Sequence, residues 1–157
     1  MDDIIIRPFV SEQAAALAEL FYDSVHQATA EYYNAAQRQA WAAEVPETAR
    51  WQERLKAQHT FVATCNDSLA GFMTLRDVGY IDLAFVAPEF IGKGIGKRLY
   101  DRIEDEARLL GVQKLHSEAS HLARRFFKRQ GWIVTKEQNI QRGDILLTNF
   151  VMEKLLV

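Results

Sequence analysis

The chain has 157 residues, of which 48% are hydrophobic and 25% charged, the balance of a globular domain and not of a disordered or fibrous one. That length suits one domain, is short for two ordinary ones, and buries enough surface to need no staples. Nineteen basic against 21 acidic residues leave a formal charge of −2, so the wholesale phosphate neutralisation that nucleic acid demands is not expected.

Cys65 stands alone, which excludes an intramolecular disulfide and a cysteine-based zinc site. The acidic start, Met1-Asp2-Asp3, leads into only three apolar residues and lacks the pattern of a secretory signal. No apolar run approaches the roughly 20 residues of a bilayer span. The expectation is a cytoplasmic protein with neither a membrane nor a nucleic-acid partner.

In chain order, Ile4-Ile5-Ile6 before Arg7-Pro8 predicts a short strand stopped by proline. Ser11 and Glu12 open a helix whose Ala15, Leu17, Ala18, Leu20, Phe21 and Val25 recur at helical spacing. Residues 26 to 51 are aromatic and irregular, with Tyr32, Tyr33, Trp41 and Trp51 around Pro46, and predict short helices, Glu47 to Lys56 among them. Thr60 to Cys65 and Leu69 to Leu75 form a hairpin about Asn66-Asp67, and a third strand runs from Tyr80 to Val86. A helix from Lys97 to Leu110, preceded by a glycine-rich turn, carries the stripe Ile95, Leu99, Ile103, Ala107 and Leu110. Then come a strand over Val112 to Glu118, a helix over Ser120 to Gln130 closed by Gly131, and a hairpin of Trp132 to Thr135 with Ile145 to Met152. No repeat or linker interrupts this pattern, which describes one α/β domain over residues 1–157.

The most informative stretch runs from Ile81 to Lys97, where a buried strand enters Gly92, Gly94 and Gly96 before a helix begins. Unpaired amides at a helix start, and backbone that no Cβ shields, suit an anion such as a diphosphate. The dinucleotide fingerprint needs G-x-G-x-x-G and fails on spacing; the P-loop fails at Ile91 and Arg98. A tight turn with no ligand would use the same glycines.

These residues resemble the GNAT superfamily of acyl-CoA-dependent N-acetyltransferases, whose hallmark is Gln/Arg-x-x-Gly-x-Gly/Ala between a strand and a helix. Its glycines fall on Gly94 and Gly96, and its Gln/Arg position on Ile91, a departure. A second block matches at Ser120, Ala123, Phe126, Phe127, Gly131 and Trp132, with Ser for the family's Asn and Phe127 for its Tyr. The Arg142-Gly143 turn and the ending from Asn149 to Lys154 look like the closing strands, so the resemblance covers nearly the whole chain. It implies an α/β (α+β) fold, a mixed, mostly antiparallel sheet flanked by helices on both faces. It also implies acetyl-CoA as co-substrate, with its diphosphate on Gly92, Lys93, Gly94, Ile95, Gly96 and Lys97 beside Ile91. The pantetheine arm would run along Leu83, Phe85 and Val86, near Ser120 and Phe127. An oxyanion donor carries over to the amide of Phe85 or Val86.

Acetyl transfer to an amine needs a base, since aliphatic amines have pKa near ~10. Asp82, inside an apolar strand, and Glu118, ending the next one, are the carboxylate candidates; each could instead serve structure, Asp82 by bonding turn groups and Glu118 by capping a helix. His26, after the first helix, is a further candidate base, although a lone histidine there more often packs. His59 and His121 read as structural, and no pair has metal-site spacing, so no metal is expected. Phe127 has no proton for the leaving thiolate. Either the thiolate (pKa ~8.5 as the thiol) departs unassisted, or Tyr32 or Tyr33 supplies the proton. Tyr32, Tyr33 and Trp41 could line an acceptor pocket or pack the short helices; Trp51 reads as core. One of the pairs Arg124-Arg125 and Lys128-Arg129 could meet the 3′-phosphate of coenzyme A, both otherwise being a solvated face. The acceptor, a small-molecule or peptide amine, is open, and a homodimer is suggested by relatives alone. The rival reading is a non-catalytic acyl-CoA sensor or interaction module, which Ile91 and Phe127 favour. A nucleotide-binding α/β protein is a third, and the failed spacings count against it.

Overall fold

Two sheets that part from one another define the architecture of the computed structural model, which describes residues 1–156. The first has the order β1-β2-β3-β4, with β1 Ile4–Pro8, β2 His59–Cys65, β3 Ser68–Leu75 and β4 Ala84–Val86, all antiparallel. The second has the order β5-β7-β6, with β5 Lys114–Ala119, β6 Ile133–Arg142 and β7 Ile145–Leu155. Asn66 and Asp67, both at positive φ (51° and 70°), turn the β2–β3 hairpin, the conformation that type I′ turns require.

The helices are α1 Ala14–Asp23, α2 Ala35–Trp41, α3 Thr48–Lys56, α4 Ile95–Leu109 and α5 His121–Arg129. A 3-10 turn, Ser11–Gln13, precedes α1, and a single π turn, Ser24–Ala28, prolongs it. Period-2 alternation sends Phe61, Ala63 and Cys65 of β2 to the α4 side, where they pack with Leu99, Ile103 and Ala107. Val62 and Phe72 face the other way, onto Leu17, Phe21, Trp51 and Leu55 of α1 and α3. Helices therefore cover both faces, and the expected fold class stands.

The predicted strand over Tyr80 to Val86 is shorter in the structure, for a reason that creates the site. Tyr80 makes only a parallel bridge to His116. Ile81 then donates to His116 O at 2.9 Å, and the Ser117 hydroxyl donates to Ile81 O at 2.7 Å. On the β3 side the Leu83 amide bonds the Thr74 hydroxyl at 3.0 Å. Two buried hydroxyls thus replace ladder bonds where β4 leaves β5. Beyond that point the strands diverge, and a split opens in the middle of the molecule.

Candidate active site

The split exposes one edge of β4. Ala87 donates to Ala70 O at 2.8 Å, and the register pairs Phe72 with Phe85. Antiparallel alternation then commits the Phe85 amide to β3 and turns the amides and carbonyls of Ala84 and Val86 toward the opening. The Ser24 hydroxyl confirms the direction by donating to Val86 O at 3.1 Å. Of the two amides expected to hold an oxyanion, Val86 has the free edge and Phe85 does not.

At the end of the split sits the N-terminus of α4. Gly94 is its N-cap at φ +82°, ψ 10°, and has no side chain to bond the first-turn amides, which stay available to a ligand. Gly92 is also left-handed (φ +89°), and neither glycine has an atom within 4 Å of an added Cβ. Their requirement is conformational. Gly96 differs, because a Cβ there would lie 3.2 Å from Phe126 Cε1 and 3.7 Å from Val86 Cγ2. It lets α5 approach α4.

Two cavities flank β4. One, of about 430 Å³, runs from Ile91, Gly92, Gly94, Ile95, Gly96 and Lys97 along Phe85 and Val86 to Phe126 and Phe127. Arg125 and Arg129, one turn apart on α5, line it as well, as do Ser24 from the π turn after α1 and Thr29 just beyond that turn. The other, of about 290 Å³, is lined by Asp82, Leu83, Glu118 and Tyr33, with Arg142, Thr148 and Asn149 from the β6–β7 hairpin. The two meet, because Trp41, Ala84, Phe85, Ser120, Ala123 and Phe127 line both.

Most residues singled out in the sequence fall on this pair of cavities; Lys93, His26 and Tyr32 do not. Lys93 lines neither; its ammonium pairs with Asp2 at 3.0 Å. His26 also lines neither, since its Nε2–H donates to Ala42 O at 2.7 Å and its ring packs on Tyr22. Asp82 faces the smaller cavity, but its side chain is only 8% exposed and is gripped by Arg54 Nε and Nη2, each at 2.9 Å, and by Gln58 at 2.9 Å. Burial alone would push its carboxyl up. The Arg54 and Gln58 hydrogen bonds and the charges of Arg54 and Arg76 outweigh that and hold it below the usual aspartate range. A carboxylate so stabilised is a weak base. Glu118 is different: it accepts from Gln138 at 3.0 Å and, at 3.5 Å, from the Tyr80 hydroxyl, and has no cationic partner among the described residues. It does not cap α5; the Ser120 hydroxyl does, accepting from Ala123 at 3.1 Å.

The tyrosines are committed. Tyr33 is buried, donates to Thr148 O at 2.7 Å and accepts from the His121 amide at 3.1 Å. Burial raises its phenol above the usual value, despite the His121 amide. Tyr32 accepts from Arg125 and lines neither cavity. Phe127 is buried against Tyr100 and stacked on Trp132 at 4.4 Å, with its ring at the meeting of the cavities. Trp51 is core, as expected. His59 is bracketed by Asp77 and Glu106 at 2.6 and 3.2 Å, a structural tie. Sequence reasoning did not single out Arg54, Ser24, Thr29 or Asn149. Polar residues in short helices and strands have no spacing that marks them as pocket lining.

A sheet split beside the short strand β4, with an uncapped glycine helix start at one end, is the arrangement that the resemblance to acetyltransferases implies. The chain matches the family described as the acetyltransferase (GNAT) domain over residues 12–154, and it belongs to that family as an N-acetyltransferase. It is 30% identical over 152 residues to the uncharacterized N-acetyltransferase YafP of Escherichia coli (strain K12), covering 97% of this chain and 96% of YafP. A GCN5-related N-acetyltransferase from Rhodopseudomonas palustris is 32% identical and superposes with a TM-score of 0.91 over 97% of this chain and 95% of its own. PaiA N-acetyltransferase from Thermoplasma acidophilum, solved in complex with coenzyme A, is 20% identical, with a TM-score of 0.80 over 98% and 99% of the two chains. No helix among the described residues is long and apolar enough to cross a membrane.

Proposed function

We propose that this protein transfers an acetyl group from acetyl-CoA directly to an amine, with no acyl-enzyme. The observation that carries the reading is the meeting of two cavities at the free edge of β4, one ending on uncapped α4 amides and the other on a carboxylate. The α4 amides and glycine turn hold the diphosphate, Arg125 and Arg129 face the phosphates of the coenzyme, and the β4 edge takes the pantetheine amides. PaiA, which shares the fold, was solved with coenzyme A, which supports the cofactor assignment.

In the transfer, the amine nitrogen forms its bond to the thioester carbon, and the Val86 N–H takes the oxyanion. Glu118 accepts the amine proton, directly or through one water. When the carbon–sulfur bond breaks, Phe127 offers no proton. A thiol pKa of ~8.5 makes the thiolate a tolerable leaving group, and Ser120, whose oxygen is used by the Ala123 amide, keeps its own hydrogen for the sulfur. Cys65 is buried beneath α4 and lines neither cavity, which supports direct attack.

Thermal unfolding with acetyl-CoA, coenzyme A, ATP and NAD tests the cofactor. A ligand at 100 times its Kd stabilises by ~2.7 kcal/mol, roughly 5–10 °C for a chain of this length. A shift with the CoA compounds alone, followed by thiol release on an amine panel, supports the reading. No shift with either CoA compound overturns it. A shift without turnover on any amine favours the sensor.

A further inference from the structure

The charged groups that line the smaller cavity, Arg54, Arg142, Asp82 and Glu118, balance in number but are not all paired with one another. Asp82 is already paired with Arg54 and approached by Arg76 at 3.6 Å. Arg142, which ends β6, lines the same cavity, and its guanidinium has no hydrogen bond or ion pair among the described residues. Arg142 is exposed and yet lines the cavity, which puts it at the mouth, beside the two-residue turn that pairs it with Ile145. A guanidinium presents donors in a planar fork that matches a carboxylate, and an unpaired one beside a concavity is an unused anion receptor.

A complementary pair of acceptors lines the same cavity. Glu118 offers a carboxylate. Asn149 offers a buried side-chain carbonyl oxygen with no donor in reach, and buried polar atoms are normally satisfied. An amine would supply the missing N–H. One cavity thus holds an unused acceptor, a carboxylate with no cationic partner and an unused anion receptor.

We propose that the acceptor is a small zwitterion, an amine that also carries a carboxylate. Its nitrogen meets Asn149 Oδ1 and Glu118, and its carboxylate meets Arg142. The inference rests on the acetyltransferase reading and narrows its acceptor class.

The test measures kcat/KM at saturating acetyl-CoA for alanine, β-alanine, lysine and glutamate, each against its carboxamide, with rates normalised to free amine. The wild type, R142Q and D144N are compared, Asp144 being an exposed neighbour on the same hairpin that lines neither cavity. At least one amino acid should be preferred over its carboxamide by about tenfold or more in the wild type and in D144N. In R142Q that preference should shrink to about twofold or less through KM. R142Q should unfold at the wild-type temperature, because no partner is lost. Equal use of every pair by the wild type, or an undiminished preference in R142Q, overturns the proposal. So does use of O-phosphoethanolamine over ethanolamine with every amino acid ignored. Calorimetric titration of the four amino acids into the protein, with and without coenzyme A, gives a readout free of turnover. Binding lost in R142Q supports the proposal, and no binding overturns it. A protein that acetylates only neutral amines fails this inference and keeps the reading above; one that binds no CoA compound fails that reading.

Discussion

Gly94 and Gly96 lie two residues apart, yet replacing each by alanine should have opposite consequences. At Gly94 the backbone is left-handed (φ +82°) and an added Cβ meets nothing within 4 Å. The cost of G94A is therefore conformational, about 1–2 kcal/mol, and comes from holding an L-residue in that region. For a chain of this length that lowers Tm by roughly 2–8 °C. At Gly96 the backbone is helical, so alanine gains up to about 1 kcal/mol of helix propensity. Against that stands a contact of 3.2 Å to Phe126 Cε1, which a few tenths of an ångström of ring movement relieves. G96A should unfold within about 2 °C of the wild type. But Phe126 and Val86, the two residues its methyl would press, both line the larger cavity. G96A should therefore weaken acetyl-CoA while sparing the fold, and G94A should weaken the fold. Scanning calorimetry of both variants with and without acetyl-CoA separates the two effects. A G96A protein less stable than G94A, or one with undiminished acetyl-CoA affinity, would refute the assignment of different roles to the two glycines.

Four further outcomes are expected. E118Q should lose about 100-fold or more in kcat/KM for amines with unchanged acetyl-CoA affinity, measured by thiol release and calorimetry; a loss of less than tenfold would move the base elsewhere. Y33F should lower stability by about 1–2 kcal/mol, because Thr148 O and the His121 amide lose their partner, while turnover stays within a few-fold; a large fall in turnover would restore Tyr33 as the acid. Asp82 has a carboxyl held below its unfolded value, so its contribution is present above pH ~4 and disappears as pH falls through the lower, folded pKa. D82N should accordingly flatten the acid limb of the stability curve, and an unchanged slope would show that the Arg54 pair does not matter to folding. R125A/R129A should narrow the affinity gap between coenzyme A and its 3′-dephospho form and should weaken the salt dependence of binding; a preserved gap would place that phosphate elsewhere.

Where the sequence was legible, it was so because one physical demand had one cheap answer. A strand followed by glycines at two-residue spacing and an amphipathic helix announces an uncapped helix start, and Gly94 occupies the N-cap position as that reading requires. The helix of Ser120 to Gln130 was equally plain, because its N-cap serine and its closing glycine (Gly131, φ +90°) are chemical punctuation. The hairpins were recognised but their lengths were not. β6 extends to Arg142 although its residues alternate polar and apolar only loosely, and it is β7, paired on both sides, that holds it in register. The π turn after α1 left no trace in the pattern, since Ser24 and Thr29 are ordinary residues until β4 supplies a carbonyl for one of them.

The catalytic candidates show why residue type alone runs out. In the sequence Asp82 and Glu118 look alike, as carboxylates within predicted strands. What separates them is a distant segment: α3 brings Arg54, and the turn just after it Gln58, to one, and nothing cationic reaches the other. No local spacing encodes that. The departure at Phe127 is the reverse case, because its meaning emerges only with its neighbours. The ring is packed against Tyr100 and Trp132 on one side and forms part of the cavity junction on the other. A hydroxyl in that place would face apolar rings unless bound coenzyme satisfied it, and burying it unpaired is costly. F127Y therefore discriminates between a leaving-group step that lacks an acid and one that never needed it. If departure limits turnover, the added phenol should raise kcat by several-fold despite lost stability; if attack by the amine limits it, kcat should stay flat while Tm falls. A fall in kcat with acetyl-CoA affinity intact would refute both, and would mean that the Phe127 ring itself shapes the point of transfer.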